Sequence, residues 1–352
     1  MTRPRLIALC FLFLFLAQAL WMAARSPLAP EEAAAISASR SPVVRLATHA
    51  DLQLAVRTLR DDPWLPRLPS VVFGLLLGGS LWYVAHRLYG NRGGYIALAL
   101  YCFSPLSILA AARVGPEAPA TWGLYGTVFY AIALSHTLDA PPRDRLLRAL
   151  LFGLSLGLAA AALYPAALGL LPALAFLFYL APQRRAAALA WAALSVAIAG
   201  GLFAVVHRWA GMDLLASLRI TDFPALRPRV AAGGIPWPAV VPLLLASLPA
   251  LLLFGLALIT VLRSRRSRYF GNLAPLAVGL PLAVLGLATP FYLSVRNLVL
   301  ALPFLCLFVA GVFADLLEEE FEGPPARLAR AVLLPLLALN AAAGLWLLPR
   351  VS

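Results

Sequence analysis

Residues 6–23 read LIALCFLFLFLAQALWMA, and Gln18 is the one clearly polar side chain among them. Residues 27–32, PLAPEE, end that run with two prolines and place Glu31 and Glu32 directly after it. About 20 helical residues cross a hydrocarbon core of roughly 30 Å, so this stretch reads as a first transmembrane helix with an acidic pair at its exit. The apolar run is longer than the core of a cleaved secretory signal, which favours a retained span.

The same pattern repeats along the chain. Of the 352 residues 62% are hydrophobic and 12% charged, and the mean hydropathy is +0.87. Apolar runs at 6–23, 69–86, 94–112, 118–137, 147–163, 166–181, 187–206, 238–262, 272–289, 296–316 and 331–348 predict about eleven spans. Only Tyr164-Pro165 separates the fifth from the sixth, so those two also read as one broken helix. Lipid does not satisfy open backbone groups, which excludes an open sheet. The expected fold class is all-α, a polytopic membrane protein in one transmembrane domain over 1–352 with no separate soluble domain.

The charge pattern sets the orientation. Net charge is +13 and no Lys occurs, so all basic side chains besides His are Arg. Without Lys there is no Walker A loop, and the arginines form no single basic face for nucleic acid. One set of short loops and the chain start hold Arg3, Arg5, Arg87, Arg92, Arg143, Arg145, Arg148, Arg184 and Arg185, then Arg263, Arg265, Arg266, Arg268, Arg327 and Arg330. The opposite set holds Arg113, Arg296 and Arg350. The positive-inside rule then places the N-terminus in the cytoplasm and, with an odd number of spans, the C-terminus outside.

Two outer segments are long. Residues 24–68 contain Glu31, Glu32, His49, Asp51, Asp61 and Asp62, and Ala50–Leu59 has the spacing of a helix lying on the membrane surface. Residues 207–237, rich in Pro, Gly and Arg, read as a loop over a cavity. Gly74-x-x-x-Gly78 and Gly153-x-x-x-Gly157 predict close helix packing. Cys10, Cys102 and Cys306 stand singly in apolar runs and predict packing rather than metal binding or disulfides. No internal repeat or charge at mid-span supports a transporter.

Arg113 and Arg296 each stand alone in a short outer turn at a span end. Charge at membrane depth tends to mark function, and the planar guanidinium fork matches two phosphate oxygens. Both are candidate phosphate-binding groups, with snorkelling to the interface as the plain alternative. Glu117 stands four residues beyond Arg113, as a site acid or as one half of an exposed ion pair. His49 is a candidate for donor or metal binding, or an ordinary polar residue of a surface helix. Pro30-Glu31-Glu32 also suits the first turn of a helix.

The order of features resembles the polyprenyl-phosphate-sugar-dependent glycosyltransferases of the GT-C fold, the group that includes protein O-mannosyltransferases and lipid A aminoarabinose transferases. Glu31-Glu32 stands where that family carries an Asp-Glu pair, and His49-Ala50-Asp51 where it carries His-Pro-Pro. Arg67-Leu68-Pro69-Ser70, Leu88-Tyr89-Gly90, Gly93-Gly94, Phe103-Ser104-Pro105 and Arg113 to Glu117 follow in the family's order. Arg296-Asn297-Leu298 with Ala301-Leu302-Pro303 is similar to its Arg-Tyr-Leu-Leu-Pro segment. The resemblance runs from residue 1 to about 316 and implies an inverting transfer at the outer face of a bacterial inner membrane. It implies Glu31 as the base, with Glu32 orienting it or binding the acceptor. Glu117 and His49 are implied in substrate binding, and Arg296 and Arg113 in holding the donor phosphate.

The implied donor is a polyprenyl-phosphate sugar and the acceptor a lipid, glycan or protein. No organic cofactor is implied, and a divalent cation is left open. The altered motifs also leave open a non-catalytic GT-C-like protein that binds a lipid-linked glycan or a partner.

Overall fold

The computed structural model describes residues 3–26, 32, 65–209, 237–264, 269–288, 295–318 and 324–351. Among them the chain is helical and contains no strand. The helices are α1 (Arg3–Arg25), α2 (Leu68–Cys102), α3 (Pro105–Ala112), α4 (Glu117–His136), α5 (Pro142–Ala162) and α6 (Leu170–Leu180). They continue as α7 (Arg185–Trp209), α8 (Trp237–Arg263), α9 (Phe270–Ala288), α10 (Leu302–Leu316) and α11 (Pro324–Val351). Segments Pro4–Arg25, Leu65–Cys102, Pro142–Ala162, Pro182–Arg208 and Leu245–Arg263 are long and apolar enough to cross a membrane. Shorter apolar helices occupy Ala166–Leu180, Phe270–Leu285, Leu302–Leu316 and Ala331–Trp346. The surface helices expected within 24–68 and the loop 207–237 lie almost wholly outside the described residues.

The polarity is that of a membrane protein. Large apolar side chains such as Phe13, Leu171, Tyr179 and Leu334 face outward, while Asn272, Asn340, Thr121 and Ser195 are completely buried. Small hydroxyl side chains close their bonds on the helix itself, as Thr127 does on the Gly123 carbonyl at 2.7 Å. Polar groups are thereby kept from lipid, where they would be costly. Cys102 and Cys306 are buried as expected, but Cys10 faces outward.

α2 is the centre of the assembly, packed by α1, α4 and α10; α5 lies against α4, and α7 against α5. The Gly pairs act as the spacing predicts. A Cβ on Gly153 would stand 2.5 Å from the Ser195 carbonyl, and one on Gly157 2.9 Å from that of Ala199, so these glycines bring α5 and α7 to backbone contact. Gly78 likewise receives Leu12 of α1 and the Tyr101 ring.

Two predicted boundaries differ, and one is kept. The span expected over 94–112 is not one helix: α2 ends at Cys102 and α3 begins at Pro105. Ser104 is extended at φ −71°, ψ 125°, because a residue before proline is driven from the α region while proline starts a new helix well. The span expected from 296 opens with a 3-10 turn, Val295–Leu300, and becomes α-helical only from Leu302. The fifth and sixth spans are separate, because Leu163 is extended and a 3-10 turn, Tyr164–Gly169, follows it.

The second and third expected spans are joined in α2 by a kink at Gly90, with φ 70° and ψ −167°. That region is essentially restricted to glycine. A side chain there would touch nothing within 4 Å, so the requirement is conformational. Gly90→Ala is expected to destabilise the protein by about 1–3 kcal/mol, read as a lowered melting temperature in detergent; an unchanged melting curve would refute the strained geometry.

The chain around the kink is tied to α9 and α10. The Tyr89 hydroxyl donates to the Gly271 carbonyl, and Arg92 donates to the Leu317 carbonyl. Asp315 accepts from Asn272 Nδ2 at 2.7 Å and from the Tyr269 hydroxyl at 3.1 Å. Burial, helped by that carboxylate, pushes the Tyr269 phenol well above its usual range.

Candidate functional site

Glu32 and Arg67, 35 positions apart, form a buried ion pair, each 2% exposed. The contact is a fork: Arg67 Nε donates to Oε1 at 3.2 Å and Nη2 to Oε2 at 2.8 Å. Arg67 Nη1 donates to the carbonyls of Ala23 at 2.6 Å and Ser26 at 2.9 Å, the unsatisfied C-terminal end of α1. Glu32 Oε1 also accepts the Val114 amide at 2.6 Å. One pair thus clasps the exit of α1, the entrance of α2 and the link between α3 and α4.

The link itself is short. Arg113 caps α3 in an extended conformation, φ −116° and ψ 153°, and Glu117 opens α4. An acid at a helix start is stabilised by the helix dipole. The Glu117 carboxylate folds over Gly115, where a Cβ would collide with its Oε2. The Ser70 hydroxyl near the start of α2 donates to the Gly115 carbonyl at 3.4 Å. Glycine at 115 therefore lets the carboxylate lie close against the backbone. Arg113 and Glu117 are both half-buried.

The turn Val295–Leu300, which contains Arg296, packs against α3, α4 and α9. The backbone of Arg296 is described there and its side chain is not. The structure therefore gathers Glu32, Arg113, Glu117 and the turn holding Arg296 at one end of the helical assembly. Glu31 and His49 lie outside the described residues. No group of three His, Cys, Asp or Glu side chains is placed to hold a metal ion among the described residues.

Arg67 is visible in the sequence only as the first residue of the Arg67-Leu68-Pro69-Ser70 segment, with no role of its own. It stands at a span end as Arg113 and Arg296 do, but it falls inside the long segment 24–68, which also holds Arg40, Arg45, Arg57 and Arg60 and is left out of the charge count.

Residues 42–209 match the model of the dolichyl-phosphate-mannose-protein mannosyltransferase family. No curated protein matches the sequence significantly. Among solved structures the chain is similar to ArnT from Cupriavidus metallidurans in the apo state, with TM-score 0.65 and 14% identity over 97% of this chain and 75% of that one. It is similar also to the same ArnT bound to undecaprenyl phosphate, with TM-score 0.67 and 14% identity over 97% and 76% of the two chains. The chain thus has the GT-C membrane fold of ArnT, and residues 42–209 carry the sequence pattern of the dolichyl-phosphate-mannose-protein mannosyltransferases, which bears out the resemblance read from the sequence.

Proposed function

We propose that this protein is a membrane glycosyltransferase that moves a sugar from a polyprenyl-phosphate donor to a lipid, glycan or protein acceptor at the outer face of a bacterial inner membrane. The observation that carries the reading is the gathering of the Glu32 segment, the Arg113–Glu117 link and the Val295–Leu300 turn at one end of the bundle. The family match over 42–209 and the ArnT structure holding undecaprenyl phosphate support a lipid-linked donor.

In this reading Glu31 takes the proton of the acceptor hydroxyl, and that oxygen attacks the anomeric carbon. The bond from that carbon to the phosphate oxygen breaks, and the electron pair leaves with the polyprenyl phosphate. Arg296, with Arg113, neutralises the departing phosphate, the kind of preorganised charge that is often the largest catalytic contribution. Glu32 acts through position: both its oxygens are bound by Arg67 and Val114, so it fixes the chain from which Glu31 projects. Glu117 and His49 contact donor or acceptor. The N-terminus is cytoplasmic and the C-terminus outside.

The test uses the purified full chain with undecaprenyl-phosphate donors that differ in their sugar and a bacterial envelope extract that supplies lipid, glycan and protein acceptors, and measures released undecaprenyl phosphate. Turnover with at least one donor is expected. Arg296→Ala is expected to lower kcat/KM about 10–100-fold, the loss of a charge-assisted hydrogen-bond pair worth roughly 1.5–3 kcal/mol. Absence of turnover with every donor, by protein that keeps its wild-type melting curve, would remove the enzyme assignment.

A further inference from the structure

A second site lies away from the cluster around Glu32. A cavity of about 870 Å³ opens among α1, α2, α4, α5, α6, α9 and α10, with Leu76, Tyr83, Phe129, Phe176, Phe270 and Phe304 in its wall. Its size is within the roughly 300–1,000 Å³ of ligand pockets. Arg87 and Arg148 are its charged lining groups among the described residues, and no carboxylate lines it there. Neither arginine is ion-paired among the described residues.

Both arginines lie at the end remote from the Glu32 clasp. Arg87 follows Leu68, the first residue of α2, by about 28 Å of helix at the usual rise. Arg148 is in the second turn of α5, which runs back along α4 from that helix's far end. The cavity is therefore apolar along its length and cationic at one mouth.

A polyprenyl phosphate held at the clasp would turn its uncharged tail toward these arginines. The complementary occupant has the opposite sense, with its anion at Arg87 and Arg148 and its hydrocarbon reaching toward the clasp. Basic pockets between transmembrane helices recognise anionic lipid headgroups in this way, and the guanidinium fork is the side chain best matched to phosphate. We propose that this cavity holds an anionic glycerophospholipid from the leaflet that Arg87 and Arg148 face, its phosphate on the two arginines and an acyl chain in the apolar part. The site is independent of the transfer reaction proposed above.

Gly79 in the cavity wall provides an independent probe. A Cβ there would approach only Leu12, at 4.0 Å, so a larger side chain projects into open space, and glycine is the poorer helix former. The chain is reconstituted into nanodiscs of equal phosphatidylglycerol and phosphatidylcholine, transferred to mild detergent and weighed by native mass spectrometry. The wild type is expected to retain one phosphatidylglycerol in preference to phosphatidylcholine by about tenfold or more, the factor that 1.4 kcal/mol gives. Arg87→Ala with Arg148→Ala is expected to bring the preference close to unity. Gly79→Phe is expected to reduce retention of either lipid several-fold while circular dichroism stays that of the wild type.

Equal retention of the two lipids by the wild type would overturn the proposal, the arginines then only reaching water. An unchanged preference in the double variant, or unchanged retention in folded Gly79→Phe, would overturn it as well. So would displacement of phosphatidylglycerol by added undecaprenyl phosphate, which would assign the cavity to the donor.

Discussion

Arg67→Ala is expected to destabilise the detergent-solubilised protein by about 3–5 kcal/mol, because removing one member of a buried ion pair strands the other. Glu32 would keep a carboxylate that is 2% exposed, still accepting from the Val114 amide but without its guanidinium fork. The Ala23 and Ser26 carbonyls would lose the Arg67 group that now serves them. Arg67→Lys keeps the charge but not the fork and is expected to lose less. The readout is thermal unfolding followed by tryptophan fluorescence, with a fall on the order of 5–15 °C for Arg67→Ala. A melting temperature within a degree of wild type would show that the pair adds nothing. Replacing both partners, Glu32→Leu with Arg67→Met, is expected to recover part of the loss, since no uncompensated charge remains.

Glu31→Gln is expected to lower sugar transfer about 10²–10⁴-fold, the usual contribution of a positioned base, without moving the melting temperature. Glu32→Gln supplies the contrast. It places an amide against Arg67 and is expected to weaken folding and transfer together. This split separates a base from a positioning residue, which activity alone does not. Transfer by Glu31→Gln at the wild-type rate would assign the base to another group, whereas equal loss of stability in both variants would make the pair purely structural.

Much of the fold is legible in the sequence because lipid imposes one rule on every span: enough apolar residues, with backbone bonds closed inside the helix. The runs at 6–23 and 187–206, and the glycine pairs at 153 and 157, translate directly into α1, α7 and the α5–α7 contact. Hydropathy does not register where an apolar run changes direction. Residues 94–112 are uniformly apolar, and only the proline at 105 and the conformation it imposes on Ser104 divide them.

At the site, solitary charges at span ends are visible one by one in the sequence, and Arg113 and Glu117 are found that way. Their partners are not visible. That Arg67 reaches back to Glu32, and Glu32 forward to Val114, depends on the helices being packed, and no local pattern encodes it. The cationic mouth of the cavity is similar: Arg87 and Arg148 read as ordinary members of the positively charged face until α2 and α5 are seen to border one space.

The clasp also constrains how the protein is made. Glu32 and Val114 are 82 positions apart, so α1 and α2 are synthesised before the amide that joins the carboxylate exists. Until α3 has been synthesised, the Glu32–Arg67 pair and the bonds from Arg67 to the Ala23 and Ser26 carbonyls lack the Val114 contact. The C-terminal end of α1 is therefore finished late, and truncation before residue 114 removes one of the contacts that hold it in place.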